Sequence, residues 1–263
     1  KTQYFFVLLL FIINKSYSQF NEIKNFQKQI IENEITGSNT AMIYKDGKTL
    51  FYNIENSGKK GDKNISNQSY KPNLETIFPI WSMSKPITIV AMMILRERGM
   101  ININDNLSKY IPEFKNMTCK GEKGKYPCKN EIKIIHLLTH RSGFGYYSDQ
   151  GYGYGFTNTL TYNNLKDFAE DLSKVELEFE PGEKYYYGLN QALLGRVVEI
   201  VSKKSFYDFL KDEIFDPLKM TETKFYLTEN DRSRFQPLFI NTGELKGFTY
   251  ELNELTYKKE NKA

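Results

Sequence analysis

Ser82 and Lys85 stand three residues apart in "PIWSMSKPITIV", residues 79–90, where a short apolar approach turns into a helix-like run. On a helix, positions i and i+3 share a face, so a hydroxyl and an amine placed there can meet. A serine hydroxyl is a weak nucleophile and needs a base. A lysine desolvated at a helix start can have its pKa lowered far enough to take that proton. The same helix start aims backbone N–H groups at the place where an oxyanion would form. S-x-x-K alone also describes a capping serine beside a solvated lysine. The apolar flanks, and Pro86 fixing the first turn, favour the chemical reading.

Several elements must position that pair. "FNEIKNFQKQIIENEI" places Ile23, Phe26, Ile30 and Ile31 on one helical face, and "TAMIYKDGKTLFYNIE" carries two β-rich arms around Lys45-Asp46-Gly47, a hairpin signal. A polar loop follows over 57–74. "SKPITIVAMMILRERG" reads as a buried helix with Ile87, Val90, Ala91 and Ile94 inward and Gly99 as its stop. "NEIKIIHLLTHRSGF" predicts a short helix ending at Ser142-Gly143, and residues 144–164 have the composition of a long surface loop. "LKDFAEDLSKVEL", "NQALLGRVVEIVSKK" and "SFYDFLKDEIF" are helical by period, the last capped by Ser205. Little strand is expected after the first hairpin.

The run "FPIWSMSKPITIVAMMILRERGMININDNLSKYIPEF" resembles the nucleophile region of the serine β-lactamase-related family, which includes class C β-lactamases, D-alanyl-D-alanine peptidases and family VIII carboxylesterases. "IKIIHLLTHRSGF" and "LEFEPGEKYYYGLNQALLGRVVEIVSKKSFYDFLKDEIFDPLKMTETKFY" extend the likeness over about residues 41–227. The resemblance implies an α+β fold of the β-lactamase/transpeptidase-like type: an antiparallel sheet flanked by helices, plus a helical lobe, with the active site between them. It implies Ser82 as the acylated nucleophile, Lys85 as its general base, and Tyr187 as the tyrosine of the family's Y-x-N motif. Bottom-up, a phenol near a lysine ammonium can release its proton and relay it to a leaving group. Tyr185 and Tyr186 lie beside it, and the spacing to Pro181-Gly182 and Gly195 selects Tyr187. The motif's third place holds Leu189, with Asn190 one residue later, which resembles the esterase branch more than the lactamases.

The family's late K-T-G or H-x-G motif has no counterpart. "NTG" at 241–243 lacks a basic residue and a following strand pattern and reads as a turn, so the C-terminal strands are expected to be missing. His136 and His140 lack the glutamate of the metalloprotease pattern, and no G-x-S-x-G elbow exists for a Ser-His-Asp triad. The resemblance makes His140 a structural residue. No metal or organic cofactor is implied.

The 263 residues carry 36 basic and 32 acidic side chains, a nearly even balance with scattered lysines, which argues against nucleic-acid binding. Lys1, the apolar "YFFVLLLFII" and small residues at Ser16 and Ser18 predict a signal peptide over 1–18, too short for a comfortable membrane span. A β-lactamase-related hydrolase domain is then expected over 19–263, secreted or periplasmic, without stable membrane insertion. Outside the cytoplasm Cys119 and Cys128 are expected to bridge. The expected function is hydrolysis of a small-molecule ester, amide or peptide through a Ser-Lys-Tyr acyl-enzyme, most carboxylesterase-like. The alternatives are a β-lactamase, a D-amino-acid peptidase, or a non-catalytic truncated binding module.

Overall fold

The structure, a computed structural model, describes residues 20–33, 35–36, 38–56, 73–78, 80–145, 147–148, 151–152, 162, 164–232, 234, 238–240 and 248–250. The expected signal peptide, residues 57–72 of the expected 57–74 loop and the "NTG" triplet lie outside them. By packing, the chain divides into two compact units: residues before 80 together with 229–251, and residues 80–228.

The first unit pairs helix α1 (Asn21–Glu32) with an antiparallel hairpin, β1 (Ser38–Lys45) and β2 (Lys48–Asn56). Asp46 and Gly47 both take positive φ, 50° and 75°, the backbone a two-residue hairpin turn demands. The expected helix face needs correcting. Phe26 is 61% exposed, while Gln27 is buried with its amide on Asn39 Oδ1 (2.7 Å) and its oxygen accepting from Asn53 Nδ2 (3.1 Å). That polar pin turns position 27 toward the hairpin. Ile23, Ile30 and Ile31 lie at i−4, i+3 and i+4 from it and are half-buried, whereas Phe26 rotates away. A second antiparallel ladder joins Leu238–Ile240 to Phe248–Tyr250, with Ile240 opposite Phe248. The sequence after "NTG" carries no strand pattern because a three-residue Phe-Thr-Tyr strand is too short to show alternation.

The second unit is helical around one core. Helix α2 (Lys85–Glu97) packs on α5 (Asn190–Ser202). Its buried residues are Thr88, Ala91, Met92 and Leu95, while Val90 is exposed and Ile87 and Ile94 are half-buried. The expected stripe was therefore displaced, because apolar residues surround most of this helix and Thr88 does not read as core. Gly99, at φ 69°, ends the turn as expected. On α5, Leu193, Leu194, Val197 and Val198 are each fully buried; burying such a side chain stabilises by roughly 1.5–3 kcal/mol. Helix α3 (Ile134–Leu138) stops short of Ser142-Gly143, since His140 takes φ 54°. Helix α4 (Leu165–Leu172) starts on Asn164 and α6 (Phe206–Leu210) on Ser205, whose hydroxyl accepts the Asp208 N–H at 3.0 Å.

Two-residue strands β3 (Thr118–Cys119) and β4 (Tyr126–Pro127) form a small ribbon closed by the Cys119–Cys128 disulfide, as expected. Lys120 N donates to Leu177 O (2.8 Å) and Leu177 N to Thr118 O (2.8 Å), so the ribbon holds the segment that leads to Pro181. Breaking the bridge with a phosphine should lower unfolding free energy by roughly 2–3 kcal/mol, the chain-entropy value for so short a loop. Urea midpoints before and after reduction measure it. Coincident midpoints would show that the bridge contributes nothing.

Candidate active site

Ser82 lies in a 3₁₀ turn, Trp81–Ser84, that runs straight into α2, where Lys85 is the first residue and Pro86 occupies a position needing no amide partner. Trp81 takes φ 44°, the left-handed region that a bulky residue adopts only when its surroundings hold it there. Ser84 Oγ donates to Trp81 O at 2.7 Å, so this serine caps its own turn. Ser82 does something else. Its Oγ accepts from Lys85 Nζ at 3.1 Å and from Tyr187 OH at 2.8 Å. The Lys85 ammonium also stands 4.8 Å from the Tyr187 ring centroid. All three residues singled out in the sequence therefore meet at one oxygen.

The three neighbouring tyrosines part ways. Tyr185 is 67% exposed. The Tyr186 ring packs over Gly145, where a Cβ would meet it at 2.5 Å, and lies near Phe179. Only Tyr187 reaches Ser82. Burial by itself pushes its phenol up, but the hydrogen bonds with Lys85 and Ser82 and the Lys85 charge together hold it below the ordinary tyrosine value.

The segment carrying Tyr187 is fixed at its root. The buried Glu180 carboxylate accepts the Lys129 N–H (3.0 Å to each oxygen) and the Asn130 N–H (3.1 Å), directly after the disulfide. Gly182, at φ 93°, donates its N–H to Arg141 O at 2.7 Å. Cys119, Cys128 and Glu180 cluster closely enough to suggest metal ligands, but both sulfurs are spent in the bridge and the carboxylate on backbone amides.

Leu189 is buried, and Asn190 is turned inward: its Nδ2 meets His140 Nδ1 at 2.9 Å and its Oδ1 takes the Ser142 hydroxyl. Asn190 is thus spent inside the protein rather than aimed at Ser82. Two residues that sequence reasoning left out of the site support it. His140, set aside as structural, packs its ring 4.7 Å from that of Tyr187, and Ser142 accepts the Phe144 N–H at 3.2 Å. The signal in the sequence is a short helix followed directly by Thr139-His140 and then Ser142-Gly143.

The β-lactamase family model matches residues 25–246. Protein flp of Staphylococcus aureus strain N315 is 31% identical over 220 residues, 83% of this chain but 40% of that protein. The chain thus spans well under half the length of this relative. Among solved structures, EstCE1, described as a hydrolase with promiscuous acyltransferase activity, matches with TM-score 0.70 at 23% identity, over 88% of this chain and 58% of its own. FmtA from Staphylococcus aureus gives 0.61 at 24%, over 81% and 53%. Simvastatin synthase LovD from Aspergillus terreus gives 0.67 at 17%, over 85% and 59%. These structures share the fold. With the family model covering most of the chain, the protein belongs to the β-lactamase family, with its β-lactamase/transpeptidase-like α+β fold.

Proposed function

We propose that this chain is a serine hydrolase that opens an ester or amide through a covalent acyl-enzyme on Ser82, with esters preferred. The observation that carries the reading is the convergence of Lys85 Nζ and Tyr187 OH on Ser82 Oγ. With Lys85 as the free amine, Ser82 Oγ bonds to the substrate carbonyl carbon as its proton passes to the lone pair of Lys85 Nζ, leaving an ammonium beside the Tyr187 phenol. Tyr187 then delivers a proton to the leaving group as the bond from carbon to that group breaks. Water attacks the acyl carbon, loses a proton to the same pair, and restores the serine. The inward turn of Asn190 supports ester over lactam, since no amide side chain from that position reaches toward the nucleophile. The Cys119–Cys128 bridge supports a secreted or periplasmic location.

Mapping a fluorophosphonate adduct by mass spectrometry tests the reading. The phosphonyl group is expected on the peptide bearing Ser82 and specifically on that residue, with Ser84 unmodified because its hydroxyl is held by Trp81 O. A folded chain that takes no label at Ser82 would leave the non-catalytic binding module as the better account.

A further inference from the structure

His140 meets Tyr187 at its ring and at the amide on either side of it. Its carbonyl oxygen accepts the Tyr186 N–H at 2.8 Å, and its Nδ1 lies 3.3 Å from the Gly188 N–H. One residue thus takes the amides on both sides of Tyr187, while its ring lies against the Tyr187 ring at 4.7 Å. A helix running on to residue 140 could not do this. The left-handed backbone at His140 swings both carbonyl and ring toward the 186–188 segment. Such a conformation is sparsely populated for a residue other than glycine and persists where the surroundings enforce it.

The enforcing groups are present and buried. Because an amide N–H can only donate, Nδ1 must be the acceptor, which places the ring proton on Nε2 in the neutral imidazole. Asn190 Nδ2 gives Nδ1 a second donor, Asn190 Oδ1 takes the Ser142 hydroxyl, and Ser142 Oγ takes the Phe144 N–H. Asn190 and Ser142 are fully buried. A relay of four groups therefore fixes the ring that fixes the phenol. A charged imidazolium would set an N–H against two donors, and burial followed by the nearby Lys85 charge keeps the ring neutral.

We propose that His140 is the positioning residue of Tyr187, holding the phenol on Ser82 and Lys85 by clasping its two flanking amides and its ring. The proposal rests on the hydrolase reading for its catalytic meaning but not for its test. The titratable groups facing this pair are Lys85, over the Tyr187 ring, and Tyr185, edge-on to the His140 ring.

The test is titration of Tyr187 by ¹³Cζ-tyrosine NMR on the full chain, the resonance being assigned by its loss in Tyr187→Phe. His140→Asn tolerates the left-handed backbone and keeps an acceptor but removes the ring; His140→Ala removes both. The midpoint is expected to move up toward the ordinary tyrosine value in His140→Asn and further in His140→Ala. Ser82 labelling should slow in the same order, by up to about 10²-fold, the scale of loss when a reacting group is misplaced by about 1 Å. In a Tyr187→Phe background, His140→Asn should add little further loss, because the two residues act as one unit. An unchanged Tyr187 midpoint in either folded variant overturns the proposal, as does a full additive loss in the Tyr187→Phe background. Failure of Ser82 to label while the midpoint shifts as expected would overturn the hydrolase reading and leave this one standing.

Discussion

Ser82→Ala is expected to abolish covalent labelling by an activated ester or fluorophosphonate, and Lys85→Ala to slow it by about 10²–10⁴-fold, the usual worth of general-base assistance. The two effects come from one oxygen. Removing Ser82 Oγ removes the atom that forms the bond. Removing Lys85 leaves that atom in place, with Tyr187 OH still 2.8 Å away, but deletes the amine 3.1 Å from it that takes its proton. The residual rate should therefore depend on the phenol, and Lys85→Ala/Tyr187→Phe should lose far less than the product of the single losses, as groups acting as a unit do. Tyr185→Phe and Tyr186→Phe should stay near the wild-type rate, since one is exposed and the other is packed against Gly145. Stopped-flow or mass-resolved labelling rates decide it. A Lys85→Ala rate within threefold of wild type would remove lysine from the base role.

The parts of this site legible in the sequence were the local ones. Ser82 and Lys85 are three residues apart, so helical geometry alone brings them together. Tyr187 lies 105 residues from Ser82, among 19 tyrosines, and only the family likeness picked it out. Helix existence was equally readable, because α2, α4 and α5 carry long apolar periods with clear ends. Which face turned inward was not. On α2 apolar residues occupy too much of the circumference to choose a side, and on α1 the decision belongs to Gln27, whose partners Asn39 and Asn53 come from another element. The role of His140 was hidden for a related reason. Its importance depends on a positive φ and on amides from 186 and 188, neither of which leaves a periodic trace.

Gly188→Ala should be among the most damaging single methyl additions in the chain. A Cβ at Gly188 would stand 2.4 Å from Phe144 O, 2.6 Å from Gly145 Cα and 2.7 Å from Gly145 C. All three are backbone atoms, so no side-chain rotation relieves the clash, and one of the two strands of chain must move. Phe144 is fully buried and packs edge-on against Phe114, which resists motion on that side. The 187–189 segment must then give way, and with it the Gly188 N–H on His140 and the phenol on Ser82. Overpacking of this kind costs about 1–3 kcal/mol of stability, occasionally more. Acylation should fall by about 10²-fold as well, because the phenol is displaced from the reacting oxygen. Gly195→Ala is the matched comparison. Its added Cβ meets Leu165 Cδ1 at 3.0 Å and Phe206 ring atoms at 3.1 and 3.2 Å, all of them side-chain ends that can shift by a few tenths of an ångström. It lies on α5, where alanine is also the better helix former. Gly195→Ala should therefore keep its acylation rate and change stability little. Denaturation midpoints and Ser82 labelling rates for the two variants, measured side by side, separate the cases. Equal acylation rates in the two would mean that the contact between Gly188 and the Phe144–Gly145 backbone does not set the position of Tyr187.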